Sequence, residues 1–385
     1  MMSSEATQTM ISATENLEDG ASSLYHYDDL RIVHLELTHR CNAACPMCAR
    51  NVHGGAVNPD MPLSELSLAD IKTILLPDFI ARLKRIYACG NYGDPIVAHD
   101  CIEVFRYLLE HGPDLNLDLH TNGSARRPEW WRELAEIMKS GPHYLRFGID
   151  GLEDTNHLYR RGADWKTVMR SAESFIGAGG RAEWDFLVFR HNEHQVEEAR
   201  KLAENMGFKE FFVRKTGRFI SAGELETSDR FDVLDNKGRF EYWLEQPQNP
   251  DYQNPAFGNL EIVKQRYGEY QTYLDKVEIN CKVAGRKRKI YLSAQGYALP
   301  CCWLGAVFSE SSTPERRQFA ELIEGHGGSA AVDARKHGLK AVVEGPLFQQ
   351  AVPASWDRES IGDGKLAICA RTCGKEYDPL DQQRD

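Results

Sequence analysis

Six β-like runs alternate with helix-like segments between residues 31 and 215, and this alternation constrains the fold more than any other feature of the sequence. The runs that predict strands are RIVHLEL (31–37), LKRIYAC (83–89), LNLDLHT (115–121), YLRFGID (144–150), AEWDFLVF (182–189) and EFFVR (210–214). Amphipathic segments such as WKTVMRSAESFIGAG separate them. Repeated strand–helix units predict a parallel sheet with right-handed crossovers, as an open doubly wound sheet or a barrel.

Apolar and polar residues alternate within these runs. In the third run Leu117 and Leu119 share one face, whereas Asp118 and His120 lie on the other. Parallel strands that are buried on both faces are normally apolar throughout. A polar inner face therefore favours a barrel with an interior wide enough to hold a polar ligand, although a sheet with one solvated face gives the same pattern.

The composition excludes several classes of protein. A chain of 385 residues suits two domains, and 57 acidic against 46 basic residues give a net charge of -11, which argues against a nucleic-acid partner. The first 29 residues are polar and acidic, so we expect a disordered tail rather than an export signal. Without a long apolar run for a membrane, a cytoplasmic location is expected.

The ten cysteines are clustered along the chain. In a reducing compartment such clusters bind metal more often than they form disulfides. Cys41, Cys45 and Cys48 lie on one loop directly after the first predicted strand. A structural zinc site needs four protein ligands, whereas three thiolates can hold a [4Fe-4S] cluster and leave one iron open. A zinc loop or an iron-sulfur sensor remains the alternative.

This CxxxCxxC loop after a first strand resembles the cysteine loop of the radical S-adenosylmethionine (SAM) enzymes. The resemblance covers residues 30–220 and implies an α/β fold, a partial (β/α)6 TIM-like barrel. It implies that the open iron chelates the amino and carboxylate groups of SAM, and that one electron cleaves SAM to a carbon radical. An electron donor of the flavodoxin or ferredoxin type follows from this chemistry.

Two further segments resemble the SAM-binding parts of that family. The turn Gly93-Asp94-Pro95 is similar to the family's Gly-Glu-Pro turn for the SAM amino group, and Gly148 replaces the usual serine of a Ser-Leu-Asp-Gly run. An arginine after this run would hold the SAM carboxylate, and the choice between two adjacent arginines stays open. The implied SAM-binding residues are Met47, which replaces an aromatic residue, Tyr92, Gly93, Asp94, Pro95, Asn122, Asp150, Arg160, Arg161 and Val188.

The spacing Cys281-x14-Gly296-x4-Cys301 resembles the start of the auxiliary-cluster domains called SPASM or twitch. The resemblance implies a small C-terminal α+β domain at 281–385, with an insertion at about 306–367 and a partly helical linker at 221–280. A second [4Fe-4S] cluster would be held by Cys281, Cys301, Cys369 and Cys373. The spacing favours Cys301 over Cys302 as the ligand, and a Zn(Cys)4 site is the alternative.

The expected function is radical modification of a small polar substrate. Residues near the ends of the predicted strands would contact it, together with the thiol that is left over from the second cysteine set: His120, Glu183, Asp185, Arg214, Lys215 and Cys302. A peptide substrate is the first alternative, and the roughly 30 residues before the first strand are too few for a leader-binding module of the kind that peptide-modifying relatives carry. Transfer of a 3-amino-3-carboxypropyl radical to an acceptor is the second.

Overall fold

The computed structural model describes residues 25–220, 227–284, 287–309 and 313–375. Its strands are β1 (Ile32–Leu35), β2 (Arg85–Ala88), β3 (Asn116–Thr121), β4 (Tyr144–Gly148), β5 (Ala182–Val188), β6 (Glu210–Lys215), β7 (Arg230–Leu234), β8 (Phe240–Glu245), β9 (Lys289–Leu292) and β10 (Ala298–Leu299). Its helices are α1 (Leu68–Ile74), α2 (Pro77–Ile80), α3 (Cys101–His111), α4 (Pro128–Met138), α5 (Asn156–Tyr159), α6 (Trp165–Gly177), α7 (Val196–Met206), α8 (Ala256–Tyr267), α9 (Tyr270–Lys276), α10 (Cys302–Ser309), α11 (Pro314–Glu324), α12 (Ala334–His337), α13 (Leu339–Val343), α14 (Val352–Trp356) and α15 (Ala367–Cys373).

An eight-stranded sheet forms the centre of the fold, in the order β10-β9-β1-β2-β3-β4-β5-β6. Strands β1 to β6 are parallel to their neighbours and follow one another in chain order. Among the described strands β6 and β10 do not pair with each other, so the sheet is open at both edges. The predicted α/β fold with a partial barrel is confirmed.

Helices cover the apolar face of this sheet. The helix α6 shows why they form: the Asp164 side chain accepts a hydrogen bond from the Thr167 amide at 2.8 Å and so caps the first turn. From there Val168, Ala172 and Phe175 recur at helical spacing and are buried against the sheet. No helix among the described residues combines the length and the apolar composition that crossing a membrane requires.

The opposite face of the sheet is polar, as the alternation predicted, but cross-strand ion pairs occupy much of it. Arg146 on β4 donates to Glu183 on β5 at 2.8 Å, and Arg85 on β2 pairs with Asp118 on β3. Both carboxylates are almost fully buried. Buried charges need such partners, so part of the polar face is engaged in ion pairs within the sheet.

The C-terminal strands extend the main sheet. β9 runs parallel to β1 with Ile32 opposite Lys289, and β10 folds back antiparallel through a turn with Gly296 at φ +79°. The buried Ile290 contributes to the same core as the barrel helices. Strands β9 and β10 therefore share a sheet and a core with residues 25–220, while the division of the chain into units stays a prediction.

Three stretches differ from expectation. Tyr25 and Tyr27 are buried, and Tyr27 stacks on Phe79, so residues 25–29 are packed rather than disordered. The rest of the predicted tail, 1–24, lies outside the described residues.

The predicted linker at 221–280 contains the antiparallel hairpin β7–β8 before helices α8 and α9, with 221–226 outside the described residues. Its short strands alternate only weakly, which hides them in the sequence.

The predicted insertion at 306–367 is also part of the fold. Its sequence is low in apolar residues, yet Phe319, Val343 and Phe348 are fully buried and join the main core. Because a helix needs only one apolar stripe to pack, low average hydrophobicity does not indicate a loop here.

Candidate functional site

The cysteine loop connects β1 to α1 and is held in shape by its own backbone and one arginine. The Cys48 amide donates to the Cys45 carbonyl at 3.0 Å. The buried guanidinium of Arg50 donates to the carbonyls of Cys41 at 2.8 Å and Ala43 at 3.2 Å. Arg50 therefore organises the loop, and no sequence pattern indicated it.

A cavity of about 240 Å³ lies over this loop at the carboxyl ends of the strands. Its walls are Cys41, Ala43, Cys45, Cys48, Cys89, Gly90, Asn91, Tyr92, Gly93, Asp94, His120, Thr121, Asn122, Arg146, Gly148, Tyr159, Arg160, Asp185 and Arg218. All three thiols of the loop thus face one polar space. Burial raises the pKa of the Cys41 thiol to about 12, so a metal that binds this thiol must displace its proton.

The turn after β2 is fixed by a buried glutamate. The amides of Tyr92 and Gly93 donate to Glu36 Oε1 at 2.8 and 3.2 Å, and the Tyr291 hydroxyl donates to the other oxygen. Burial raises the pKa of Glu36. A Cβ at position 93 would overlap the Thr38 carbonyl, which explains the glycine. In the first predicted strand Glu36 alternates with Leu35 and Leu37, so the sequence pattern indicated the face of this residue but not its role.

Asp94 joins this turn to the end of β3. Its Oδ2 accepts from the Thr121 hydroxyl at 3.0 Å and from the amide and side chain of Asn122 at 2.8 Å each. Its Oδ1 accepts from the Ile96 amide at 3.2 Å. Both oxygens are thus engaged within the protein, and contact of this carboxylate with a SAM amino group stays a prediction.

The two adjacent arginines point in different directions. Arg160 lies in the cavity, where its Nε donates to Asp150 Oδ2 at 2.6 Å and its Nη1 is 3.9 Å from the Cys45 sulfur. Arg161 instead pairs with Glu241 on the hairpin β7–β8. Only the first can reach a group bound over the cysteine loop.

The glycine at position 148 makes room for this arrangement. A Cβ there would overlap the guanidinium of Arg160, so the serine that is usual in the family would displace the arginine. Asp150 is fully buried behind it, and its second oxygen accepts from the Leu187 amide at 2.6 Å. Burial raises the pKa of Asp150, and Arg160 acts against this rise.

The predicted SAM-binding and substrate-binding residues divide into two groups. Tyr92, Gly93, Asp94, Asn122, Arg160, His120 and Asp185 line the cavity, whereas Met47, Pro95, Asp150, Arg161, Val188, Glu183, Arg214, Lys215 and Cys302 do not. Glu183 forms an ion pair with Arg146, and Arg214 forms an ion pair with Asp185 at 3.0 Å.

Three further residues line the cavity although they were not predicted as site residues: Arg146, Tyr159 and Arg218. The strand alternation could have indicated Arg146; nothing in the pattern indicated Arg218.

Four C-terminal cysteines meet at a second site. Cys281, Cys301, Cys369 and Cys373 line one apolar cavity of about 10 Å³, and Cys302 is not among its walls. None of the ten cysteines forms a disulfide bond. Burial raises the pKa of Cys301 to about 12, and the neighbouring Cys302 and Cys373 add to the rise.

The donor sets can be compared with the groups that the sequence implied. Among the described residues, no group of three or more His, Cys, Asp or Glu side chains has an arrangement that could hold a metal ion. The thiols nevertheless converge in threes and fours, which is the donor chemistry of iron-sulfur clusters. The larger cavity has room beside its thiols, whereas the smaller one holds about one water, so its thiols must move outward around a cluster.

Comparison with known proteins shows which family part of the chain resembles. Residues 35–203 match the family model of the Radical SAM superfamily. The "AdoMet-dependent heme synthase" of Oleidesulfovibrio alaskensis is 26% identical over 226 residues, which are 57% of this chain and 54% of that protein. The chain thus spans about half the length of this curated relative.

Two solved structures show a distant likeness. The crystal structure of Streptococcus suis SuiB bound to S-adenosylmethionine is 13% identical with a TM-score of 0.45, over 74% of this chain and 62% of that one. The structure of a polyhistidine-tagged form of anSMEcpe with bound AdoMet is 14% identical with a TM-score of 0.49, over 92% and 91%. These likenesses are too low to support a function. The family-model match covers the cysteine loop and strands β2 to β5, so this region of the chain is similar to the Radical SAM superfamily, and the protein is an enzyme.

Proposed function

We propose that the protein reductively cleaves SAM at a [4Fe-4S] cluster held by Cys41, Cys45 and Cys48, and uses the resulting radical to modify a small polar substrate. One observation carries the proposal: the three thiols share a 240 Å³ cavity with the turn after β2 and with Arg160. Three thiolates leave one iron of a [4Fe-4S] cluster open for SAM, and the reduced cluster supplies the electron that breaks a C–S bond of SAM.

In this proposal, residues of the chain bind SAM and orient it over the cluster. Arg160 binds the SAM carboxylate, because its fork suits two oxygens and because Asp150 fixes the guanidinium from behind at 2.6 Å. The turn at Tyr92 and Gly93 offers carbonyl acceptors to the SAM ammonium, with Glu36 holding the amides of the same turn.

The remaining polar walls of the cavity support a small polar substrate. Arg146, Asp185 and His120 are among them, and Asp185 lies 3.7 Å from the Arg146 Nε. These charged and hydrogen-bonding walls favour a polar substrate. The heme synthase likeness at 26% identity is compatible with a small-molecule substrate.

The four C-terminal cysteines hold an auxiliary [4Fe-4S] cluster in this proposal, with Cys301 rather than Cys302 as ligand. Support comes from the shared cavity, which includes Cys301 and excludes Cys302. Two thiol-ligated clusters suit the reducing cytoplasm, where a flavodoxin or ferredoxin would supply electrons. A single zinc ion is the rival occupant, because the cavity has the volume of one small group.

Anaerobic reconstitution followed by metal analysis, and by mass spectrometry after addition of SAM and dithionite, tests the proposal. We expect about eight irons per chain, four for each cluster, and 5′-deoxyadenosine as the product. Methylthioadenosine would favour 3-amino-3-carboxypropyl transfer instead. Iron without either nucleoside would favour an iron-sulfur sensor, and about four irons with one zinc would overturn the auxiliary cluster while leaving the SAM site intact.

A further inference from the structure

Tyr25 enters the four-cysteine cavity from the N-terminal segment. Its hydroxyl lies 3.5 Å from the sulfur of Cys281, 256 positions away in the sequence, and its side chain is 2% exposed. It lines the cavity together with Cys301, Cys369 and Cys373. The fold thus brings a phenol hydroxyl from the far end of the chain to one of the four sulfurs.

The tyrosine is held in place by its surroundings. Its backbone carbonyl accepts a hydrogen bond from the side chain of Gln349. Its ring packs edge-to-face against Phe348 with the ring centroids 5.3 Å apart. Both contacts come from the segment before α14, so the packed C-terminal helices fix the phenol toward Cys281.

The direction of this hydrogen bond follows from the chemistry of the ligand. A cysteine that ligates a cluster is a thiolate without a proton, so the phenol must donate. A hydrogen bond to a ligating sulfur stabilises the more negative, reduced cluster. The remaining walls are largely apolar, including Ile279, Leu304 and Ile368, and a hydrogen bond is electrostatically stronger in surroundings of such low polarity.

We propose that Tyr25 is a positioning residue that donates a hydrogen bond to the Cys281 ligand and raises the reduction potential of the auxiliary cluster. This inference rests on the proposed function, in which the four cysteines hold a [4Fe-4S] cluster. It assigns a role in the second site to a residue outside the cysteine pattern, from a segment that the sequence had predicted to be disordered.

The test uses Tyr25→Phe, which removes the hydroxyl and keeps the ring, and Tyr27→Phe as the control. Tyr27 lies two positions away, stacks on Phe79 at 4.9 Å and is not a wall of the cavity. Both variants are reconstituted anaerobically as full chains. Their iron and zinc contents are measured, and their clusters are titrated with a reductant while EPR spectra are recorded; the signal that SAM leaves unchanged reports the auxiliary cluster.

We expect Tyr25→Phe to keep its iron and to show a lower midpoint potential for the auxiliary cluster, with Tyr27→Phe unchanged. A fluorinated tyrosine at position 25, which is a stronger donor, should shift the potential upward. An unchanged potential at full iron content, or loss of the auxiliary iron in a folded Tyr25→Phe protein, would overturn the inference about Tyr25. In both cases about eight irons in the unmodified protein would still support the auxiliary cluster. Zinc in the unmodified protein would instead overturn the auxiliary cluster.

Discussion

The two cysteine sites differ in the room and the polarity that surround them. Cys41, Cys45 and Cys48 face a cavity of about 240 Å³ with charged walls such as Arg160. The four C-terminal cysteines enclose about 10 Å³ between apolar side chains such as Leu304. Three ligands with space beside them suit a reactive site that must admit another molecule, whereas four ligands without space suit a closed one.

The sites also differ in how the chain assembles them. The first set lies within eight residues of one loop, so local sequence is enough to bring the thiols together. In the second, Cys369 and Cys373 share one face of α15 at helical spacing. The Asn280 amide donates to the Cys373 carbonyl at 2.9 Å, which brings Cys281 alongside. The closed site therefore depends on the packing of distant segments.

Helix α10 connects the two sites by hydrogen bonds. The side chain of Asn91 donates to the Cys302 carbonyl at 2.9 Å, and the Tyr92 hydroxyl donates to the Ala306 carbonyl at 2.7 Å. The turn that lines the first cavity thus rests on the helix that begins beside Cys301. Each variant of one site must therefore also be measured for changes at the other site.

The largest expected effect comes from the open site. Cys45→Ala removes one of three ligands, so we expect loss of SAM cleavage below detection and loss of about four irons per chain. The auxiliary iron should remain, because that site has its own four ligands. Nucleoside analysis and iron determination on the reconstituted variant check this. Retained cleavage at full iron content would mean that the loop does not hold the cluster.

Substitution of a cysteine in the closed site should lower both the metal content and the stability of the protein. Cys369→Ala is expected to remove about four irons and to destabilise the fold by about 2 kcal/mol or more, because Cys369 is buried in the main core. Iron content and thermal unfolding are the measurements. Cys302→Ala is the matched control and should keep its iron. Loss of iron from Cys302→Ala alone would reverse the assignment of the ligand.

The adjacent arginines provide the next comparison. Arg160→Lys replaces a fork that Asp150 orients, and we expect the Kd for SAM to rise roughly 100-fold, about 2.7 kcal/mol. Arg161→Lys alters contacts with Glu241 and with the Tyr242 ring, none of them among the cavity walls, and should change the Kd by less than about twofold. Calorimetric titration of both reconstituted variants with SAM measures the two Kd values and shows which arginine contributes to SAM binding. Equal effects of the two changes would contradict the assignment.

The smallest effect is expected at the carboxylate under the turn. Glu36→Gln keeps the shape of the side chain but weakens the acceptor for the amides of Tyr92 and Gly93. We expect the Kd for SAM to rise roughly tenfold, which corresponds to about 1.4 kcal/mol, with the iron content unchanged. Asp118→Asn serves as the control, because Asp118 is a buried carboxylate on the same sheet face and neither it nor its partner Arg85 is a cavity wall. A Kd that rises only in the control would exclude this role for Glu36.

Local patterns in the sequence predicted the strand positions, the cysteine loop and the polar inner face. They did not predict the roles of Glu36, Arg50 or Tyr25, because each acts on groups that are distant in the chain or belong to the backbone. The pairing of β9 with β1 also left no local signal, since a parallel register is set by segments that lie far apart in the chain.

The sequence by itself determined which residue types could form two thiol-rich sites and that a parallel sheet would carry the first. Only the tertiary structure separated Arg160 from Arg161, whereas for Cys301 and Cys302 the spacing had already stated the preference and the cavity wall agrees with it. Neighbouring residues have the same chemistry, and the direction of each side chain is fixed only when the backbone is packed. The same packing decides the volume around each set of thiols, and that volume distinguishes an open site from a closed one.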